Sequence, residues 1–231
     1  MIRVPFLLAT VLSLGFVAYS PAAHLLPVAI RRGPRHRRAI ALTFDDGPDP
    51  TWTPRILEVL DRHQTQATFF LVGERARAAP DIVRAIARAG HDIGAHGLRH
   101  RNLWWCTPGK TGEEIRSGVE ILEGLTGRSV RDFRPPWGMM NLAVYPWLSR
   151  LGLRCVLWSI QPEGLRPRTP DVQAAYVLER AHPGAIVDLH DAPGLPGAPA
   201  RTCAALPAIL DGLRQGGYAL VSVSRLLAAG P

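Results

Sequence analysis

The sequence predicts an α/β fold with a parallel sheet, and three observations support that prediction. From residue 39 onward, short apolar runs alternate with helical patterns, which is typical of repeated strand–helix units. No internal repeat or second domain interrupts this alternation. With 231 residues, of which 47% are hydrophobic, the chain can bury one substantial core. Residues 39–231 are therefore expected to form one domain, either a barrel of about seven parallel strands or a doubly wound sheet.

Seven apolar segments are predicted as strands and six periodic segments between them as helices. The strands are Ala39–Phe44, Ala67–Val72, His91–Ala95, Val130–Phe133, Arg154–Trp158, Ala185–Leu189 and Tyr218–Val221. The helices are Pro54–His63, Pro80–Ala89, Gly112–Leu125, Leu142–Leu151, Pro170–Arg180 and Thr202–Gln215. Proline after a capping residue begins several helices, as at Thr169-Pro170, and glycine ends others, as at Gly90. The segment Ala192–Arg201, rich in Pro, Gly and Ala, is predicted as a surface loop.

The amino-terminal residues are predicted to lie outside the domain. An apolar run follows Arg3 and extends to Ala18, and small residues near Ala22 suit cleavage of a secretory signal. Apolar residues continue to Ile30, which is long enough for an uncleaved membrane anchor. Residues 1–30 are therefore predicted as a signal peptide or membrane anchor, and the protein as membrane-targeted and extracytoplasmic. The arginines that follow argue against export by the positive-inside rule, and this conflict stays open.

Basic charge is concentrated directly after this segment. Five arginines between residues 31 and 38 account for more than half of the net charge of +8. The stretch is predicted to be a solvated linker, with anionic lipid head groups as a candidate contact. It lacks interleaved aromatic residues, and no downstream segment resembles a nucleic-acid-binding module, so no nucleic-acid partner is expected. Cys106, Cys155 and Cys203 are too few and scattered for a disulfide framework or a cysteine zinc site.

Two adjacent carboxylates, Asp45 and Asp46, end the first predicted strand. A β-prone apolar run leads into them, and a Gly-Pro pair stops the strand directly afterward. The carboxyl ends of strands carry the chemistry in α/β folds, and successive strand residues point in opposite directions. The two acids can therefore take different roles, although an isolated pair of this kind is more often a solvated turn.

Three further polar clusters follow other predicted strands. His96 and His100 are four residues apart and, with one carboxylate, could hold a metal that keeps positions open for water and substrate. His190 suits a general acid because the pKa of histidine lies close to working pH. Arg134 can pair with a carboxylate, and the rigid Pro-Pro-Trp-Gly turn after it leaves backbone amides free for an oxyanion. Each cluster alone also fits an ordinary surface, core or turn residue, but four of them at four strand ends predict a metal-dependent active site.

Together these motifs resemble the polysaccharide deacetylases of the NodB-homology type, carbohydrate esterase family 4. The matching motifs are Thr43-Phe44-Asp45-Asp46-Gly47-Pro48, His96-x-x-x-His100, Arg134-Pro135-Pro136-Trp137-Gly138 and Leu189-His190-Asp191. The resemblance implies a distorted (β/α) barrel and metal-dependent removal of N- or O-linked acetyl groups from a cell-envelope polysaccharide or glycan. It also implies a divalent metal, expected to be zinc, with cobalt or manganese as alternatives. The metal ligands would be Asp46, His96 and His100.

The resemblance implies a role for each of the other matching residues. Asp45 would be the general base, held by Arg134, and His190 would be the general acid. Trp137 and Pro136 would lie at the substrate, and the backbone amide of Trp137 would help to bind the oxyanion. Because the base must be ionised while the acid is protonated, a bell-shaped pH–rate profile is expected.

The sequence departs from the family pattern in two regions that surround these residues. Gly97 stands where the family has Ser or Thr after the first histidine, so a hydroxyl that could brace the loop is absent. In the fourth motif, Gly164-Leu165 stands where Asp-Trp is expected, and Glu163 is displaced by one residue from the aspartate position. The missing aspartate would tune the acid histidine, and Leu165 would replace an aromatic wall of the substrate pocket.

A third departure places Asp188 where the family has leucine, two residues before His190. Residues two apart in a strand face the same side, so both side chains are expected to face the site. One hypothesis is that Asp188 replaces the missing aspartate, orients His190 and raises its pKa. The alternative is that Asp188 pairs with an arginine or lysine and never reaches the histidine.

Three functions remain open at this point. A deacetylase acting on an acetylated glycan as a monomer is the first expectation. A deformylase or other amidase acting on a lipid-linked or small sugar is the second, because the altered acyl pocket loses apolar wall. The third is a non-catalytic glycan-binding protein, although the complete set of polar residues argues against it. Trp104 and Trp105 could border a sugar groove, but aromatic pairs in loops more often pack against the protein.

Overall fold

A parallel eight-stranded sheet forms the centre of the computed structural model, which describes residues 29–163, 169–194 and 196–228. The strands are β1 (Ala29–Ile30), β2 (Ala39–Asp45), β3 (Thr68–Leu71), β4 (Asp92–Ala95), β5 (Asp132–Phe133), β6 (Arg154–Val156), β7 (Ile186–His190) and β8 (Ala219–Val221). Their order is β1-β6-β5-β4-β3-β2-β7, and β8 also pairs with β2. Every strand pair in this sheet is parallel, as the alternating sequence pattern predicts.

Eight α-helices lie between and after the strands in the described part of the chain. They are α1 (Trp52–Arg62), α2 (Gly73–Ala78), α3 (Pro80–Arg88), α4 (Pro108–Thr126), α5 (Val144–Leu151), α6 (Pro170–Arg180), α7 (Ala198–Gln215) and α8 (Val223–Leu227). Short 3-10 turns occur at Leu103–Trp105 and Pro136–Gly138. The bounds of α6 agree with the prediction, because the Thr169 side chain caps the helix by accepting a hydrogen bond from the Val172 N–H.

The sheet curls into a distorted barrel rather than remaining an open doubly wound sheet. At one edge, β1 pairs with β6. The chain after β6 then reaches β7, where Ile160 forms a parallel bridge with Val187. Arg32 adds an antiparallel bridge to Ala185, directly before β7. The barrel implied by the sequence motifs is therefore confirmed.

The alternation of side chains along β2 directs the first acidic residue into the barrel. Ile40, Leu42 and Phe44 belong to the large core beneath the helices. Ala39 and Ala41 belong to the smaller core on the opposite face of the strand. Because side chains alternate, Asp45 shares the face of Ala41 and points toward the barrel interior at its carboxyl-terminal mouth.

The amino-terminal boundary differs from the prediction. Ala29 and Ile30 form β1 although they were assigned to the segment before the domain. The stretch 31–38 is not simply a solvated linker, because the Gly33 N–H donates to the Gly184 carbonyl at 2.7 Å. The strand was missed because two apolar residues at the end of a longer apolar run carry no periodic signal. The remainder of the predicted signal peptide or anchor, residues 1–28, lies outside the described residues.

Two other segments also differ from expectation. Helix α7 begins at Ala198, so the predicted loop Ala192–Arg201 is shorter at its carboxyl end. Helices α2 and α8 were not predicted, since six and five residues are too few to show a helical period. Among the described helices, none combines the length and apolarity needed to cross a membrane.

Candidate active site

The predicted polar residues meet in one cleft, about 260 Å³ in volume, at the carboxyl-terminal mouth of the barrel. Its lining residues come from the ends of several strands, where parallel strands place their chemistry. They are Asp45, Asp46, His96, His100, Trp137, Trp158, Gln161, Glu163, Asp188, His190 and Gly194. Of the predicted site residues, Leu165 lies outside the described part of the chain.

Asp46, His96 and His100 converge at one side of the cleft. Asp46 Oδ1 lies 2.8 Å from His100 Nε2 and 3.4 Å from His96 Nε2. Their ligand atoms all lie within 4.8 Å of one another. Asp46 and His100 reach these positions with left-handed backbone conformations, at φ values of 75° and 54°. Left-handed backbone conformations in residues other than glycine are typical of functional sites.

Neighbouring groups orient two of the three candidate ligands. His96 Nδ1 lies 2.7 Å from the Arg134 carbonyl, so this nitrogen carries the proton and Nε2 keeps its lone pair toward the cleft. The Arg75 guanidinium donates to the Asp46 carbonyl at 2.7 Å and fixes the backbone beside the carboxylate. Nε2 of His96 and the Asp46 carboxylate therefore both face the space where a cation would bind.

The donor set fits a divalent cation. Asp46 Oδ1 is buried and accepts no well-directed hydrogen bond from the described residues. Burial raises the pKa of Asp46, but its contacts with His100 and His96 outweigh burial and hold that pKa well below the usual range. Burial likewise lowers the pKa of His96, while Asp45 and Asp46 raise it further than burial lowers it. The pocket thus favours positive charge, and one carboxylate with two imidazoles is a ligand set that zinc and similar metals take.

Glu114, fully buried on α4, braces the loop that carries the two histidines. Its Oε2 accepts hydrogen bonds from the backbone N–H groups of Leu98 at 3.1 Å and Arg99 at 2.8 Å. Gly97 occupies the left-handed region at φ 80°, where a residue with Cβ would be strained. A carboxylate from a helix, rather than a hydroxyl at position 97, therefore braces the loop, and no local sequence pattern indicates this role.

Arg134 is fully buried and joins two carboxylates below the cleft. Its Nη1 lies 2.6 Å from Asp45 Oδ1, 3.1 Å from Asp188 Oδ1 and 2.7 Å from the Thr43 hydroxyl. Its other guanidinium nitrogens donate to backbone carbonyls at the end of β6. Arg134 thus contacts Asp45 as the family resemblance implied, and it also binds the residue that departs from the family pattern.

His190 pairs with Glu163, and the hypothesis that Asp188 orients it is wrong. His190 Nδ1 makes a hydrogen bond to Glu163 Oε2, whereas Asp188 bonds Arg134 and, at 3.3 Å, the Gln161 amide. The alternative stated from the sequence, that Asp188 pairs with an arginine, is confirmed. Glutamate has one more methylene than aspartate, which compensates for its one-residue displacement in the motif. That difference in length is the sequence signal that could have identified it.

Two helices hold Glu163 in place. Its Oε1 accepts hydrogen bonds from the Thr202 hydroxyl of α7 and from the Gln173 amide of α6 at 3.1 Å. Burial lowers the pKa of His190, but the hydrogen bond to Glu163 and the nearby Asp188 charge raise it to about 10 overall. Because Nδ1 is engaged by Glu163, Nε2 is the nitrogen left for chemistry in the cleft. The arrangement keeps His190 protonated near neutral pH.

Asp191 supports the opening motif from beneath. Its carboxylate accepts hydrogen bonds from the Gly47 N–H at 3.1 Å and the Thr53 hydroxyl at 2.5 Å. Burial raises the pKa of Asp191 to about 7, and the Asp46 charge adds to that rise. A side chain on Gly47 would collide with this carboxylate, so the turn after the two acids requires glycine.

Trp137 covers the outer side of the cleft. It is 55% exposed, has φ 54°, and its ring centroid lies 4.2 Å from that of His100. Pro136, directly before it, is buried within the 3-10 turn. Trp104 and Trp105 stack on each other with centroids 5.9 Å apart, but they do not line the described cleft. The structure therefore places Trp137, rather than the Trp pair, next to the candidate metal ligands.

Comparison with known proteins identifies relatives of this chain. The polysaccharide deacetylase family profile matches residues 32–156. A peptidoglycan-N-acetylglucosamine deacetylase of Bacillus cereus is 36% identical over 84% of this chain and 90% of its own length. A chitooligosaccharide deacetylase of Azorhizobium caulinodans is 35% identical over 80% of this chain and 93% of its own length.

Solved structures show the same fold. A peptidoglycan N-acetylglucosamine deacetylase, crystallised with an N-oxidanyl-benzamide compound, has a TM-score of 0.84 and 31% identity, covering 91% of this chain and 98% of that chain. A pseudoenzyme of carbohydrate esterase family 4 from Bacillus anthracis has a TM-score of 0.80 and 26% identity, covering 87% of this chain and 69% of that chain. Active enzymes and a pseudoenzyme therefore share this barrel, and only the site residues can separate them.

Proposed function

The chain belongs to the polysaccharide deacetylase family, and we propose that it is a metal-dependent hydrolase of N-acylated amino sugars in a cell-envelope glycan. The observation that carries the proposal is the meeting, in one cleft, of three metal donors, an arginine-bound carboxylate and a glutamate-bound histidine. A glycan-binding protein would not require all of these groups. Relatives named for deacetylation of peptidoglycan N-acetylglucosamine and of chitooligosaccharides support a glycan that contains N-acetylglucosamine as the substrate class.

Asp46, His96 and His100 would hold the metal, for which zinc is the expected ion. A divalent metal bound there would lower the pKa of water and polarise the carbonyl of the substrate amide. Asp45 lies beside this donor set, with Oδ2 3.7 Å from His96 Nε2, and accepts the proton of the attacking water in this proposal. Arg134 holds Asp45 through its other oxygen, Oδ1, so Oδ2 remains available to the reacting water.

His190 acts on the opposite side of the substrate amide. The amine of an amino sugar is a poor leaving group unless it is protonated as the bond breaks. Protonated His190 donates from Nε2, while Glu163 fixes the ring through Nδ1 and stabilises its charge. The backbone N–H of Trp137 donates to the oxyanion that develops on the carbonyl oxygen.

The cellular location follows the same proposal. A cell-envelope substrate requires the barrel to lie outside the cytoplasm, which fits an amino-terminal signal or anchor. Protease digestion of intact and permeabilised cells would test it, because an exported barrel is cleaved in cells whose membrane is intact. Protection until the membrane is opened would contradict this location.

Release of the acyl group is the direct test of the activity. The protein reconstituted with zinc, cobalt or manganese is expected to release acetate from chitooligosaccharides or peptidoglycan, and Asp45→Asn is expected to stop release. A panel of formylated sugars would identify a deformylase. Binding of these glycans without release of any acid, in metal-loaded protein, would instead support a non-catalytic role and contradict the proposal.

A further inference from the structure

Buried acidic side chains form the floor of the cleft. The large exposed side chains of the cleft lie at its rim. Asp188 is only 1% exposed and lies at the floor with Glu163 and the buried acidic groups of the site. Trp137 and Gln161 lie exposed at the rim. Among the described residues that line the cleft, the large apolar ones are Trp137 and Trp158, and no aliphatic side chain is present. A substrate group that reaches the floor therefore meets the Asp188 carboxyl group; burial and the Asp45 charge raise its pKa, and the Arg134 charge opposes that rise.

The general acid determines which part of the substrate points toward that floor. His190 must reach the nitrogen that stays on the sugar after cleavage. A polymeric glycan is too large for a cleft of about 260 Å³, so the glycan chain stays on the solvent side of the acyl group. The acyl group is consequently the end directed inward, and Asp188 lies two residues before His190 on the same face of β7.

Asp188 retains hydrogen-bonding capacity for a ligand. Its Oδ1 faces Arg134 Nη1 and its Oδ2 faces the Gln161 amide at 3.3 Å, whereas a carboxylate has about four acceptor positions. Arg134 Nη1 has only two hydrogens for three nearby acceptors, Thr43, Asp45 and Asp188. Each oxygen of Asp188 thus has one protein partner, and further acceptor positions on the carboxylate remain for a ligand.

The acceptor positions of Asp188 indicate which acyl group the cleft binds best. A methyl group packed over Asp188 would displace water and leave acceptor positions empty, which is unfavourable in a buried site. A hydroxyl on the same carbon would donate to the carboxylate instead. We propose that Asp188 makes the cleft selective for an N-acyl group with a hydroxyl next to the carbonyl, an N-glycolyl group, over N-acetyl.

This inference rests on the proposed function and specifies the acyl group that the hydrolase removes. Water adds a C–O bond to the carbonyl carbon, the amide C–N bond breaks, and the products are glycolate and the free amine of the sugar. The amine takes its proton from His190, and no oxidant or reductant is needed. Asp188 would act by binding the acyl hydroxyl and would take no part in proton transfer.

Matched substrates test the selectivity. Chitooligosaccharides of one length, carrying N-glycolyl, N-acetyl or N-formyl groups, are compared by kcat/KM with the metal-loaded protein. The wild type is expected to favour N-glycolyl over N-acetyl by about tenfold or more, because a site built to bind a hydroxyl rejects the analogue that lacks it. Asp188→Leu is expected to lower this ratio by at least about tenfold and to raise activity on N-acetyl.

A second variant separates selectivity from damage to the fold. Asp188→Asn retains a group that hydrogen-bonds to Arg134 and the acyl hydroxyl, and is expected to keep a preference for N-glycolyl. A wild type that prefers N-acetyl or N-formyl would overturn the inference while leaving the hydrolase proposal intact, as would an unchanged ratio in Asp188→Leu. Failure of the metal-loaded protein to cleave any of the three would contradict the proposed function, and this inference with it.

Discussion

The two ends of the cleft, the metal end (Asp46, His96, His100) and the acid end (His190, Glu163, Asp188), are assembled differently. The metal end uses short loops directly after β2 and β4, and two of its residues are four apart in sequence. At the acid end, His190 takes its partner from 27 residues away, and helices α6 and α7 hold that partner. Local spacing thus specifies the ligand set at the metal end, whereas long-range packing selects the partner of the acid.

The largest effect is expected at the metal end. His100→Ala removes one of three donors, so bound zinc should fall from about one per protein to nearly none after dialysis, and kcat/KM should fall more than about 100-fold. Elemental analysis and acid-release assays measure both quantities. His36→Ala, an exposed histidine in the basic stretch, is the matched control and should change neither. Full metal content in His100→Ala would remove this residue from the proposed ligand set.

Substitution at the acid end is expected to change the pH dependence of the reaction rate. Glu163→Gln removes the negative charge that raises the pKa of His190 toward about 10, so the pKa should fall. Activity that needs protonated His190 is then lost at lower pH, and the basic limb of the profile should move down by about one unit or more. We also expect kcat to fall about 10- to 100-fold, part of the contribution of a general acid.

Asp188→Asn is the comparison for that measurement. Asp188 lies near His190 without bonding it, so its charge supports the histidine pKa only at a distance. The basic limb of the pH–rate profile should therefore move less in Asp188→Asn than in Glu163→Gln. An equal or larger shift in Asp188→Asn would return the tethering role to Asp188 and reverse the assignment.

Loop bracing at the metal end should have an intermediate effect. Glu114→Gln weakens the acceptor for two backbone N–H groups, which should cost about 1–2 kcal/mol of unfolding free energy in urea titrations. Metal affinity should also weaken about tenfold, because the bracing residue orients the ligand loop. Glu120→Gln alters an exposed residue of the same helix that pairs with Arg116 and should change stability by less than about 0.5 kcal/mol. Identical stabilities of the two variants would refute the bracing role.

The smallest effect is expected from the support of Glu163. Thr202→Val removes a hydroxyl donor while keeping a similar shape, which should reduce kcat by about three- to tenfold, near 1 kcal/mol. KM should change little, since Thr202 does not line the cleft. Thr126→Val, which removes a hydroxyl bonded to the Leu122 carbonyl on α4, provides the control. A rise in KM without a change in kcat would argue against support of the acid.

Sequence patterns predicted the seven main strands and all matching site residues, but they left out the groups that hold those residues. The alternation of apolar runs with helical segments identified β2 and β7, together with the polar residues that end them, because both strands are long and bounded by turns. Glu114 and Thr202 lie on helices, where their sequence context resembles that of ordinary helical residues. Their roles depend on the loop or side chain that packs against them, which no local pattern records.

The order of the catalytic groups along the strands can be read from the sequence: two acids at the end of β2, two histidines after β4, an arginine after β5 and a histidine ending β7. Parallel strands bring these ends together at one mouth, so the set follows from the pattern. Packing in three dimensions selects Glu163 as the partner of His190 and makes Asp188 share Arg134 with Asp45. The physical reason is that these contacts depend on side-chain length and on how the strands and helices pack, and differences of a few ångströms decide which carboxylate reaches which partner.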